Sequence, residues 1–127
     1  MSRLLEGKVA VVTGGSKGIG YSIAERFVNE GAKVVISSRN AQELEVSAQN
    51  LNCDYFALDV SDSTSVKSMQ KWLVDKFGNF DILVNCAGAV RFGNIIDATE
   101  EDWDFQISVN LTGTFLTCNK FAPIMND

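Results

Sequence analysis

Short apolar runs alternate along the chain with segments whose apolar residues recur every three or four positions. Residues 8–13 (KVAVVT) form a nearly continuous β-branched run, as suits a strand covered on both faces. After it Ile19, Ile23 and Phe27 fall four apart, with Ala24 and Val28 beside them, which predicts one helix face. Gly31 stands where a C-terminal cap belongs. Residues 33–38 (KVVISS) predict a second strand, and Ala41, Leu44, Ala48 and Leu51 the inner face of a second helix. Residues 54–60 (DYFALDV) predict a third strand. The SDSTS segment then offers N-cap oxygens to a helix carrying Val66, Met69, Leu73 and Phe77, closed by Gly78. Residues 80–88 (FDILVNCAG) predict a fourth strand and GAVRFGNIID a loop. Thr99 with Asp102 has the spacing of a capping box opening the last helix. Along that helix Trp103, Ile107, Asn110, Thr114, Cys118, Phe121 and Met125 make one stripe, which places Asn110 as a buried amide on an apolar face.

Strand and helix alternate throughout, so the connections are βαβ crossovers and the predicted class is α/β. The expected architecture is a doubly wound, Rossmann-like parallel sheet in one domain spanning residues 1–127, with strand order 3-2-1-4. That order leaves the fourth strand at an edge. Yet DILVN is apolar almost throughout, which suits a central strand and is a liability at an exposed one. Phe115, Leu116 and Ile124 also fall outside the main stripe of the last helix. Both features read as an incomplete sheet, truncated before a fifth strand.

Composition narrows the function classes. A formal net charge of −5 argues against a nucleic-acid or anionic-membrane surface, which needs basic patches. No apolar run reaches the roughly 18 residues of a membrane span, and the N-terminus lacks the apolar core of a secretion signal. A cytoplasmic location is the expectation. The three cysteines form no CxxC and there is no histidine, so neither a disulfide framework nor a zinc site is expected. The missing histidine also excludes a Ser-His-Asp or Cys-His nucleophile within this chain.

Residues 13–20 (TGGSKGIG) join the first strand to its helix. Glycines there let the backbone turn tightly and approach a pyrophosphate, while the helix N-terminus offers unpaired N–H groups to the anion. The spacing is Gly14-xxx-Gly18-x-Gly20, which is not GxGxxG. This loop resembles the TGxxxGxG cofactor loop of the short-chain dehydrogenase/reductase family. NCAG (residues 85–88) resembles that family's NNAG motif, with Cys86 in place of its second asparagine. LDV (residues 58–60) resembles its adenine-contacting segment, and VNLTGTF (residues 109–115) its asparagine-bearing helix. The four motifs stand in the family's order along essentially the whole chain.

The resemblance implies a nicotinamide dinucleotide held by Thr13, Gly14, Ser16, Lys17, Gly18, Ile19 and Gly20. It implies Asp59 and Val60 beside the adenine, and Asn85, Ala87 and Gly88 lining the ribose. An NAD-preferring site places a carboxylate at the end of the second strand to hold the ribose hydroxyls. Here Ser38 stands there, followed by Arg39, with Lys17 across the loop. A carboxylate would repel a 2′-phosphate, whereas an arginine can hold it bidentately. NADP(H) is therefore expected ahead of NAD(H).

In the family, hydride passes between the nicotinamide and a carbonyl or alcohol carbon of a small molecule. The resemblance makes Asn110 the catalytic asparagine. In the family a tyrosine transfers the proton, a lysine four positions on lowers its pKa and a serine orients the substrate oxygen; tuning is needed because a free tyrosine, with a pKa near 10, is a poor base at neutral pH. Tyr21 is followed at that spacing by Glu25, and Tyr55 by Asp59, so Tyr-x-x-x-Lys is absent from this chain. Three readings stay open. One is the cofactor-binding half of an oxidoreductase, inactive alone and homo-oligomeric when complete. The second is a non-catalytic dinucleotide-binding or subunit-interaction module. The third is a different doubly wound protein, such as a flavodoxin-like regulator.

Overall fold

The computed structural model describes residues 3–127. Its strands are β1 (Val9–Thr13), β2 (Lys33–Ser38), β3 (Asp54–Ala57) and β4 (Ile82–Asn85), all parallel and ordered β3-β2-β1-β4. Helices α1 (Gly18–Asn29), α2 (Ala41–Leu51) and α3 (Ser63–Phe77) fill the crossovers. The last helical run comprises α4 (Glu100–Ile107), a π-helical turn (Ser108–Thr112), α5 (Gly113–Phe121) and a 3-10 turn (Ala122–Ile124).

The unbroken apolar runs of β1 and β2 find partners on both faces because successive side chains point oppositely. Val11 and Val35 face Met69, Leu73, Phe80 and Phe121 on one side. Val12 and Ile36 face Ala24, Leu44 and Leu51 on the other. Each large side chain so enclosed contributes roughly 1.5–3 kcal/mol of burial. The helix ends follow their chemistry. Asn40 caps α2 by accepting from the Glu43 N–H, and Asp62 caps α3 by accepting from that of Thr64. At α4 the reciprocal capping box of Thr99 and Asp102 forms.

Four expectations need correction. β3 stops at Ala57 and β4 covers only Ile82–Asn85, because Asp59–Val60 and Cys86–Gly88 turn away to build loops at the sheet's C-terminal edge. Ile19 is 76% exposed rather than inward, since Gly20 and Ala24 supply the buried face of α1. Of the expected stripe Phe121 is buried, but the last helix otherwise buries Val109, Gly113 and Thr117, and Trp103 is 66% exposed. The π turn widens the helix at Ser108–Thr112 and shifts the phase of the residues beyond it. Gly113 then lies so close to Val60 that an added Cβ would sit 2.6 Å from its Cγ2. Leu116 and Ile124, expected to be stray, pack against the core, whereas Phe115 is exposed.

β4 is the outer strand, and Ile82, Leu83 and Val84 are only half-buried there. At its start the chain returns beside it. Phe80 and Met125 form a parallel bridge, with the Phe80 N–H donating to Ile124 O (3.1 Å) and the Asn126 N–H to Phe80 O (2.8 Å). No helix among the described residues is long and apolar enough to cross a membrane.

Candidate functional site

In an open parallel sheet the loops leaving the strand ends at a topological switch point diverge and leave a crevice. Here the switch lies between β1, whose crossover leads to β2, and β4 on its other side. A cavity of about 380 Å³ opens there, walled by the loops after all four strands. From the glycine loop, Gly14, Ser16 and Lys17 reach it; from the end of β2, Ser37, Ser38 and Arg39. Leu58, Asp59 and Val60 close a third side, and Cys86, Ala87, Gly88 and Ala89 the fourth.

The glycine loop is shaped by close approach. Gly14 adopts φ +65°, and a Cβ there would meet Ala87 N and Cys86 O at 2.7 Å. A Cβ on Gly20 would run into the Gly14 carbonyl. Any side chain at either position would displace backbone rather than a flexible tip. Ser47 on α2 holds the loop from beneath, its hydroxyl donating to Ser16 O at 2.6 Å.

Thr13 does not face the cavity. It is buried, and its Oγ1 accepts from the N–H groups of Cys86 and Ala87, both at 3.1 Å, pinning the loop after β4 to the end of β1. Asn85 likewise turns away, its Oδ1 accepting from the Thr117 hydroxyl at 2.6 Å. Asp59 folds its carboxylate into its own turn, where Oδ1 accepts from the Ser61 N–H (3.0 Å) and hydroxyl (2.6 Å). Gly18, Ile19 and Gly20 lie at the start of α1 outside the cavity wall. Asn110 is exposed, not buried, but both ends of its amide are bonded. Oδ1 accepts from the Ala89 N–H at 2.8 Å and Nδ2 donates to Ala89 O at 2.7 Å.

The charges at the cavity are unequally matched. Lys17 lies 3.9 Å from Glu43, an exposed pair of the kind that contributes little. Arg91 is paired with Asp102 at 3.1 Å, and this hydrogen bond chiefly holds the Asp102 carboxyl below its usual range. Arg39 has no carboxylate within ion-pair distance among the described residues. Its guanidinium lies over the Phe105 ring, 5.5 Å from the centroid. Beside it the hydroxyls of Ser37 and Ser38 are buried with no hydrogen-bond partner. Buried hydroxyls without partners are rare and costly. Two of them on a cavity wall next to an unmatched cation suit a polar, anionic group, as the ribose and phosphate of a dinucleotide would be.

The sequence reading missed Ser37, Asn40, Glu43, Leu58, Cys86, Ala89 and Val109, which also line the cavity. Cys86, Leu58 and Val109 belong to the motifs already singled out. Nothing local marks Glu43 or Ala89, which arrive from a helix face and a loop.

The family model described as short chain dehydrogenase matches residues 8–127, and the chain belongs to that family. It is 40% identical over 126 residues to a D-threitol dehydrogenase of Mycolicibacterium smegmatis, covering 95% of this chain and 48% of the relative. The crystal structure of a short chain dehydrogenase from Mycobacterium smegmatis superposes with a TM-score of 0.90 at 32% identity, covering 96% of this chain and 53% of that one. The RhlG/NADP active-site complex of Pseudomonas aeruginosa superposes with a TM-score of 0.91 at 29% identity, covering 96% and 49%. The chain spans about half the length of the curated relatives it matches.

Proposed function

We propose that residues 1–127 form the NADP(H)-binding part of a short-chain oxidoreductase that moves hydride between the nicotinamide and a carbonyl or alcohol carbon of a small molecule. The observation that carries the choice of cofactor is Arg39, a cation without a carboxylate partner among the described residues, beside the unpartnered Ser38 hydroxyl. Planar guanidinium donors match a phosphate bidentately, and a hydrogen bond to a charged group contributes about 1.5–3 kcal/mol. The RhlG complex contains NADP, which favours the same reading.

The bound dinucleotide supplies the hydride or accepts it. This chain's residues bind and orient. Gly14, Ser16, Lys17, Gly18, Ile19 and Gly20 present loop backbone and the α1 N-terminus to the pyrophosphate. Ser38 and Arg39 take the adenosine ribose and its 2′-phosphate, while Asp59 and Val60 flank the base. Ala87 and Gly88 line the other ribose. Thr13 and Asn85 act by holding these loops in place. Asn110 ties the start of the 88–99 loop to the last helix and is the catalytic asparagine of the complete site. With no Tyr-x-x-x-Lys here, this chain alone is expected to turn over no carbonyl substrate.

The complete enzyme is proposed to be cytoplasmic and homo-oligomeric. The second proposal is supported by Leu111 and Phe115, exposed at 65% and 62% on one helical run. The deciding experiment is Arg39→Asp in the full-length protein, with NADPH and NADH affinities measured by calorimetry. The expected result is at least a tenfold fall in the NADPH/NADH affinity ratio. An unchanged ratio would refute the cofactor assignment.

A further inference from the structure

Arg39 does not extend freely into solvent. Its guanidinium lies over the Phe105 ring of α4, an element remote in sequence, with 5.5 Å between Cζ and the ring centroid. Arg91, from the loop after β4, lies over the same ring at 4.0 Å. The two arginines differ in what remains open to them. Arg91 Nη1 already donates to Asp102 Oδ1 at 3.1 Å, so its charge is matched and its fork partly used. Among the described residues Arg39 has the ring and no ion-pair partner. A cation over an aromatic face is held by the ring's electrostatics and needs no hydrogen-bond donor, and a guanidinium carries five N–H groups. The contact with Phe105 uses none of these donors, and Arg39 lines the cavity.

We infer that Phe105 is a positioning residue for dinucleotide choice: its ring holds Arg39 at the cavity mouth with the donor fork free for a ribose 2′-phosphate. This rests on the NADP(H) reading given above. A long, rotamer-rich side chain must be ordered when it grips a ligand, and each such ordering weakens binding. A ring that already restricts the guanidinium removes part of that cost. Phe105 itself packs half-buried against the core cluster around Val11 and Phe121, which fixes the ring. Its effect reaches the dinucleotide only through Arg39, so it strengthens the phosphorylated form and leaves the other alone.

The test uses the full-length protein with Phe105→Leu, Phe105→Tyr and Arg39→Ala, and calorimetric dissociation constants for NADPH and NADH. Thermal unfolding confirms that each variant folds, and Phe105→Met replaces Phe105→Leu if the latter does not. An aromatic contact of this kind corresponds to about a two- to fivefold change in affinity. Phe105→Leu is expected to weaken NADPH by that factor with NADH unchanged, and Phe105→Tyr to match the wild type. If Arg39→Ala lowers NADPH affinity selectively but Phe105→Leu does not, the positioning role is refuted and the cofactor reading stands. Equal weakening of both cofactors by Phe105→Leu refutes it too, since that marks a merely structural ring. If Arg39→Ala leaves the ratio unchanged, the NADP(H) reading itself falls, and this inference with it.

Discussion

Asn110 and Ala89 hold each other through two hydrogen bonds, the side-chain amide of one closing on both backbone groups of the other, at 2.8 and 2.7 Å. Ala89 opens a loop whose residues 90–99 are all exposed, and Asn110 sits inside the π turn of the last helix. This ring of two bonds fastens the loop at the cavity to a helix that core residues such as Phe121 anchor. Asn110→Ala removes both, and at about 0.5–1.5 kcal/mol per bond the expected loss of stability is roughly 1–3 kcal/mol. Hydrogen exchange reads it directly: the Ala89 amide should lose protection while that of Val11 keeps it.

Thr13 performs the same service from beneath the cavity. Its buried Oγ1 accepts from two successive N–H groups, of Cys86 and Ala87. Thr13→Val keeps the shape and removes the acceptor, so two backbone donors lose their partner at once. The expected destabilisation is about 1–3 kcal/mol in urea unfolding. Thr13→Ser should recover most of it.

Asp81 fixes where β4 begins. Its Oδ2 accepts from the Val9 N–H at 2.9 Å and its Oδ1 from Asn126 Nδ2 at 2.8 Å. These bonds, the backbone one foremost, hold its carboxyl below the ordinary value of 3.8. A depressed carboxylate stabilises the fold fully above that ordinary value and ceases to do so as pH falls through the depressed one. Wild-type protein should therefore lose more stability than Asp81→Asn between about pH 6 and about pH 2.5. Urea midpoints across that window check this, and parallel curves would refute it.

The three thiols should separate in reactivity. Burial foremost, and then the neighbouring Asp54, push the Cys53 thiol up to about 11, whereas Cys118 is exposed. Since the thiolate is the reacting form, a maleimide at neutral pH should label Cys118 first and Cys53 last. Cys86 lines the cavity, so NADPH should slow its labelling and leave that of Cys118 unchanged. Mass spectrometry of digested samples assigns each rate.

Much of the fold was legible because it rests on local rules. β1 and β2 announce themselves by β-branched runs, α2 and α3 by apolar spacing, and the start of α4 by the Thr99/Asp102 box. Reading failed where a distant partner decides. DYFALDV and FDILVNCAG look like seven- and nine-residue strands, yet β-pairing ends where the neighbouring strand ends, and their last residues are drawn into loop contacts with Ser61, Ser65 and Thr13. The stripe of the last helix failed for another reason. Its three- and four-residue spacing assumes a regular helix, and the π turn changes the phase so that Gly113 and Thr117, rather than Thr114 and Cys118, face inward.

For the candidate site, the sequence alone determined which residue types stand at the strand ends: glycines that permit a close turn, a neutral Ser38, a cationic Arg39, and no Tyr-x-x-x-Lys. These follow from residue identity at fixed distances from apolar runs. Tertiary structure alone decided how they meet. It set Phe105 under Arg39, left two serine hydroxyls without partners, and pulled Thr13 and Asn85 out of the cavity to brace it. The reason is physical: hydrogen-bond and ring contacts between residues tens of positions apart depend on sheet order and helix phase, and no local spacing encodes either.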